Sequence, residues 1–210
     1  MIKFEKPEIW GWEHAIRGMR NPLNSWERSD TVFDGDKLCL GENDVDLMTR
    51  LIRGGAPHRK FLRQIFVSVD ITAPLYWWKE FDTYKVGTTA NSCSTMHKLT
   101  AKEFTIEDFS FEDCNRWTKD VVCSCIINAL NMNRLKYLET KDKKLWRQMI
   151  QLLPTSYNQK RTVTMTYENL LNMLEYRRGH KLDEWRMFCD WILTLPYGSL
   201  LKEGVGNEQS

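Results

Sequence analysis

The chain has 210 residues, a formal net charge of +2, 42% hydrophobic residues and 28% charged ones. That balance excludes a disordered chain and gives no basis for binding a nucleic-acid polymer. The length suits one domain, 1–210, with a core of its own, and no apolar run reaches transmembrane length.

The first 40 residues read as irregular apart from a short helix over Glu13–Arg20, stopped by Asn21-Pro22. No basic segment followed by an apolar one opens the chain, so a cytoplasmic protein is expected. Asn43 or Asp44 is placed to cap a helix that runs to Arg53 and ends at Gly54-Gly55. In Phe61–Ile71, Ile65, Val67, Val69 and Ile71 alternate with Gln64, Ser68 and Asp70, the period of a half-buried strand. Pro74 suits the first turn of a helix carrying Leu75, Trp77, Trp78 and Phe81. Adjacent residues on a helix point about 100° apart. One of Trp77 and Trp78 is therefore expected in the core and the other against a second surface.

Next comes a loop with six Ser/Thr residues between Thr83 and Thr95, together with Asn91. It reads either as a solvated turn region or as a wrap of neutral donors around a polyanionic or amide-rich ligand. Asn115–Leu138 reads as one long helix, with Trp117, Val121, Ile127, Leu130 and Leu135 available for the core. Lys141–Leu153 is a helix ended by Pro154, and Lys160–Tyr167 a strand through Thr162-Val163-Thr164. Glu168–Arg178 and Leu182–Leu195 are helices parted by Gly179, and Glu203–Ser210 is expected to fray. The class is α/β or α+β, with no Gly-rich phosphate loop and no dinucleotide fingerprint. The six Cys form no C-x-x-C pair and read as free thiols, with Cys123 and Cys125 packed in the core. No metal site is expected. Nine Trp favour large buried aromatic surfaces or an oligomer interface.

The segment Ala73–His97 resembles the signature of the flavin-dependent thymidylate synthases. In that family an Ala-Pro pair opens a helix ending in Arg-His-Arg, and a serine follows in a S-x-N-E-x-S-x-R-Y-like run. Here Ala73-Pro74 opens the helix and Thr83-Tyr84-Lys85 stands at Arg-His-Arg. Thr89-x-Asn91 precedes Ser94 as S-x-N does, while Met96 stands where the family has an arginine. The resemblance is clearest over 44–192. Upstream lies D-x-D-L-M-T-R-L-I-R-G-G-A-P; downstream come Leu153-Pro154, Asn172-x-Leu174-x-x-Arg177, His180 and Glu184-Trp185-Arg186.

The resemblance implies a central, mainly antiparallel sheet with helices, and a homotetramer whose sites are shared between subunits. It implies reductive methylation of dUMP to dTMP with FAD, NADPH and methylenetetrahydrofolate. By it, Arg177 contacts and polarises the pyrimidine, and Glu80, Ser92, Ser94 and Arg178 join it in holding the nucleotide. Thr83, Tyr84, Lys85, Asn91 and Asn172 fall at flavin-contacting positions. On the residues alone, Arg177 also reads as a helix C-terminal cation and Asn172 as a surface amide. With Thr83-Tyr84-Lys85 in place of Arg-His-Arg, two alternatives stay open: an inactive nucleotide-binding or structural homologue, and an enzyme modifying another pyrimidine nucleotide.

Overall fold

Period-two patterning makes the two central strands. The computed structural model describes residues 2–35 and 37–206. β4 (Phe66–Pro74) buries Val67, Val69, Ile71 and Ala73, and β6 (Asn158–Thr166) buries Val163 and Met165. The Thr162 hydroxyl donates to Asp70 at 2.6 Å, and Thr164 meets Ser68 at 3.4 Å. This register makes the pair antiparallel. With β1 (Lys3–Trp10) and β5 (Thr89–Ser92) at the edges, the sheet runs β1-β4-β6-β5. The mixed helix-and-sheet class with an antiparallel sheet is thus observed.

The N-terminal region is more regular than its sequence indicates. It contributes β1 and also the hairpin β2 (Val32–Asp34) and β3 (Lys37–Cys39), with Val32 opposite Cys39. β1 is an edge strand with most of its residues exposed and Pro7 within it, so it lacks the alternation that marked β4. The expected helix is present as α1 (Trp12–Arg20).

The described residues fall into two compact units. One is drawn from 2–5, 70–83 and 90–162, the other from 6–35, 37–69, 84–89 and 163–206. In the first unit, α3 (Leu75–Phe81) buries both tryptophans, Trp77 fully and Trp78 to 1% exposure. The expectation that one of them faces a second surface is therefore wrong. Trp78 donates its indole N–H to the Gln159 carbonyl at 2.9 Å, and the Arg161 guanidinium lies 4.2 Å from its ring centroid. β6 thus covers the helix face that was assigned to another surface.

The long helix of this unit is α4 (Arg116–Val121), a π-helical stretch (Val122–Ile127) and α5 (Asn128–Thr140). Five residues apart on a regular helix, Val122 and Ile127 would differ by about 140°. The wider π turn brings both onto the face of Leu130, and all three are buried with Leu99, Phe104, Phe109 and Met149. Trp117, Val121 and Leu135, expected in the core, are instead 73%, 38% and 56% exposed. Cys123 and Cys125 are exposed as well, which corrects their core assignment. α6 (Lys143–Leu152) follows, capped by Asp142.

In the second unit, α2 (Glu42–Arg53) is capped by Asp30 rather than by Asn43 or Asp44. The Asp30 carboxylate accepts from the Asn43 and Asp44 backbone N–H groups at 2.9 and 3.1 Å. Asp44 turns inward to Arg20. Thr166 and Asn169 form a capping box that starts α7 (Tyr167–Arg177), and α8 (Asp183–Thr194) follows. The C-terminal segment is docked through residue 204: Leu201 is buried, Glu203 pairs with Arg53 at 2.6 Å, and Gly204 sits too close to Ile52 and Leu171 for a Cβ. Fraying is thereby corrected for Glu203 and Gly204, while 207–210 lie outside the described residues. No helix among the described residues is long and apolar enough to cross a membrane.

Candidate functional site

Arg177 closes α7, where a cation faces the helix carbonyl end. Its Nε donates to the Tyr84 hydroxyl at 2.9 Å. Its guanidinium carbon lies 4.7 Å from the Trp185 ring centroid and 5.5 Å from that of Tyr84. The two rings meet edge to face at 5.9 Å, and His180 approaches Trp185 at 6.3 Å. Trp185, on α8, is fully buried. A permanently charged, planar group is thereby fixed against two aromatic faces in a partly desolvated position. Tyr84 is brought there by a short turn. The Asn169 amide donates to the Val86 carbonyl at 2.8 Å, and Gly87 takes φ +77° where a Cβ would strike Asn169.

Five residues before Arg177 on the same helix, Asn172 accepts at Oδ1 from Arg59 Nη2 at 3.0 Å. Arg59 is 8% exposed, and its Nε has no hydrogen-bond partner among the described residues. The nearest carboxylate oxygen, Glu168 Oε1, is 3.6 Å away. Glu168 is held by Arg63, which donates to it from both Nε and Nη2.

The first unit holds the other candidates. Thr83 donates its hydroxyl to the Glu80 carbonyl at 2.7 Å, closing α3 on itself. Asn91 and Ser92 are exposed on β5. The Ser94 hydroxyl accepts from the backbone of Met96 and His97 at 3.2 and 3.0 Å and meets His97 Nδ1 at 3.0 Å. Ser94 and Thr95 line a cavity of about 530 Å³ with Lys3, Lys98, Lys102 and Lys160. Lys160 is held between Glu5 and Asp70 at 3.1 and 3.2 Å, and hydrogen bonds to those carboxylates push its ammonium pKa up. Lys102 pairs with Asp108. Tyr157 lines the same cavity, where burial pushes its phenol up and keeps it a neutral donor.

Of the sequence candidates, Tyr84 and Arg177 meet directly in the second unit, where Lys85 and Arg178 are exposed and Asn172 is half-buried. Glu80, Thr83, Asn91, Ser92 and Ser94 belong to the first unit. Trp185 and Arg59 were not foreseen. Trp185 stood inside the matched Glu184-Trp185-Arg186 run, whereas nothing local marks Arg59.

No family model matches the chain, and no curated protein matches it in sequence. Solved structures do match over nearly its whole length. The flavin-dependent thymidylate synthase ThyX of Helicobacter pylori, in a complex with FAD and dUMP, aligns at a TM-score of 0.73 and 18% identity. That alignment covers 99% of this chain and 100% of that one. A second structure of the same enzyme with the same ligands gives 0.68 and 18%, covering 98% and 99%. The UMP/dUMP methylase PolB of Streptomyces cacaoi, bound with 5-Br dUMP, gives 0.60 and 11%, covering 97% and 92%. The chain has the fold of these enzymes.

Proposed function

We propose that this chain is a divergent pyrimidine-nucleotide methylase of the flavin-dependent thymidylate synthase type. It converts dUMP to dTMP in the cytoplasm, with FAD as cofactor and NADPH and methylenetetrahydrofolate as co-substrates. The fold, shared over nearly the whole chain with enzymes crystallised with dUMP and FAD, supports this reading. Arg177 is the observation that carries it. A guanidinium held by the Tyr84 hydroxyl and set against the Tyr84 and Trp185 rings is preorganised to meet negative charge developing on a pyrimidine ring, without reorganising at the moment of reaction. In the first unit, Ser94, Thr95 and Lys98 offer hydroxyl and ammonium donors to a phosphate.

For the flavin, Asn172 and Arg59 fit. With its carbonyl engaged by Arg59, Asn172 presents its amide N–H₂ as a donor, and Arg59 keeps a buried Nε without an acceptor. Exposed Lys85 adds one charge. When bound, FAD supplies the redox chemistry. A second reading, an inactive nucleotide-binding homologue, is favoured by one observation: Thr83 is turned onto Glu80 and Tyr84 onto Arg177, leaving Lys85 alone at the Arg-His-Arg positions. Reconstitution with FAD, followed by visible absorption and dUMP titration, tests both. A flavin band with dTMP formation is expected. Colourless protein that still binds dUMP favours the second reading, and binding of neither ligand overturns both.

The same reading includes a homotetramer. Trp117 and Val121 on α4 and Met132, Leu135 and Leu138 on α5 are all exposed, more large apolar side chains than one helix ordinarily shows to water. Light scattering should give about four times the 24.9 kDa chain mass, and Leu135→Glu should shift the protein to smaller species. A wild-type monomer would remove the shared-site picture.

A further inference from the structure

We infer that Arg59 and Arg63 form an oxyanion site for the phosphate group of this protein's ligand. Two guanidinium groups here share one carboxylate. Arg63 takes both oxygens of Glu168, leaving Arg59 Nε 3.6 Å from Oε1 and without a hydrogen-bond acceptor. The other partner of Arg59 is the Asn172 carbonyl, which is neutral. The group of three side chains therefore carries one surplus positive charge, on a side chain that is 10% exposed. A buried cation without a full counter-charge is costly, and an arriving anion relieves that cost. The local backbone holds Arg59 in place: Gly55, at φ +81°, accepts from the His58 and Arg59 backbone N–H groups. Arg63, 51% exposed, gives access from solvent. Arginine forks suit a phosphate, whose several acceptor oxygens can serve both residues at once. The choice of phosphate rests on the nucleotide reading above, whereas the surplus charge does not.

The test titrates the intact protein with inorganic pyrophosphate at constant ionic strength, following affinity by calorimetry and Tm by circular dichroism. Pyrophosphate should bind wild type and raise its Tm, and Arg59→Met should weaken binding at least about tenfold. Glu168→Gln removes the competing carboxylate and should strengthen binding, a direction that a purely structural role would not produce. If Arg59→Met does not fold, Arg59→Lys replaces it; the charge stays, the fork is lost, and a smaller weakening is expected. Affinity unchanged in the Arg59 variant, or no binding of pyrophosphate by wild type, overturns the inference. Paired titrations of FAD against riboflavin and dUMP against deoxyuridine identify the ligand whose phosphate is held. Arg59-dependent pyrophosphate binding by protein that takes up neither FAD nor dUMP would sink the enzymatic reading and leave the site standing.

Discussion

Asp44→Asn should lower the stability of the chain by about 3–5 kcal/mol, the usual cost of leaving a buried ion without its partner. Asp44 is fully buried and accepts at Oδ1 from Arg20 Nε at 2.7 Å. Its Oδ2 accepts from the Ser29 and Thr31 hydroxyls at 2.8 and 2.7 Å and from the Thr31 backbone N–H at 3.0 Å. An amide in that place would set an N–H₂ against donors and leave Arg20, 3% exposed, as an unpaired cation. Native domains hold only about 5–15 kcal/mol in total, so urea unfolding should move strongly to lower denaturant. A loss under about 1 kcal/mol would mean that the network is dispensable. The pH dependence follows. Burial pushes the Asp44 carboxyl up, but hydrogen bonds from Thr31, Ser29 and Arg20 together hold it below the ordinary aspartate value. Its stabilisation is therefore complete above the unfolded value of about 4 and is lost as pH falls through the lower native one. The variant should lack that acid-side loss.

Arg177→Ala should cut turnover of a pyrimidine nucleotide by about 10²–10³-fold, the range for removing one preorganised donor from a developing negative charge. It should also weaken nucleotide binding by about tenfold or more through the lost charge-assisted hydrogen bond. Calorimetry with dUMP and single-turnover dTMP formation separate the two effects. Unchanged values in both would remove Arg177 from the site. Tyr84→Phe keeps the ring and deletes the hydroxyl that Arg177 grips, so it should reproduce a small part of each effect.

What the sequence showed tracks how local each determinant is. β4 could be read from its alternation, and α7 and α8 from the glycine break that parts them. β1 and β5 could not, since edge strands with solvent on most side chains leave no pattern of burial. The cap of α2 was misassigned because its acceptor, Asp30, lies beyond the hairpin rather than beside the helix. Arg177 was singled out by the resemblance of Asn172-x-Leu174-x-x-Arg177 to the family motif, which says nothing of its setting: Tyr84 reaches it from 93 positions away. Arg59 meets Asn172 across 113 positions, and an isolated arginine in a polar turn carries no local mark of that contact.

The π stretch Val122–Ile127 acts as a reading-frame shift written into a helix. Its extra residue has no strand or loop to absorb it, so everything from Asn128 onward is rotated relative to Arg116–Val121. Deleting any one residue from the stretch would restore the ordinary period and turn the upstream segment by about 100°. Val122 would swing toward water, while Trp117 and Val121 would be carried to another side. In this helix a one-residue indel is therefore a larger event than most substitutions, and aligned relatives of different length here would present different outer surfaces on the same core.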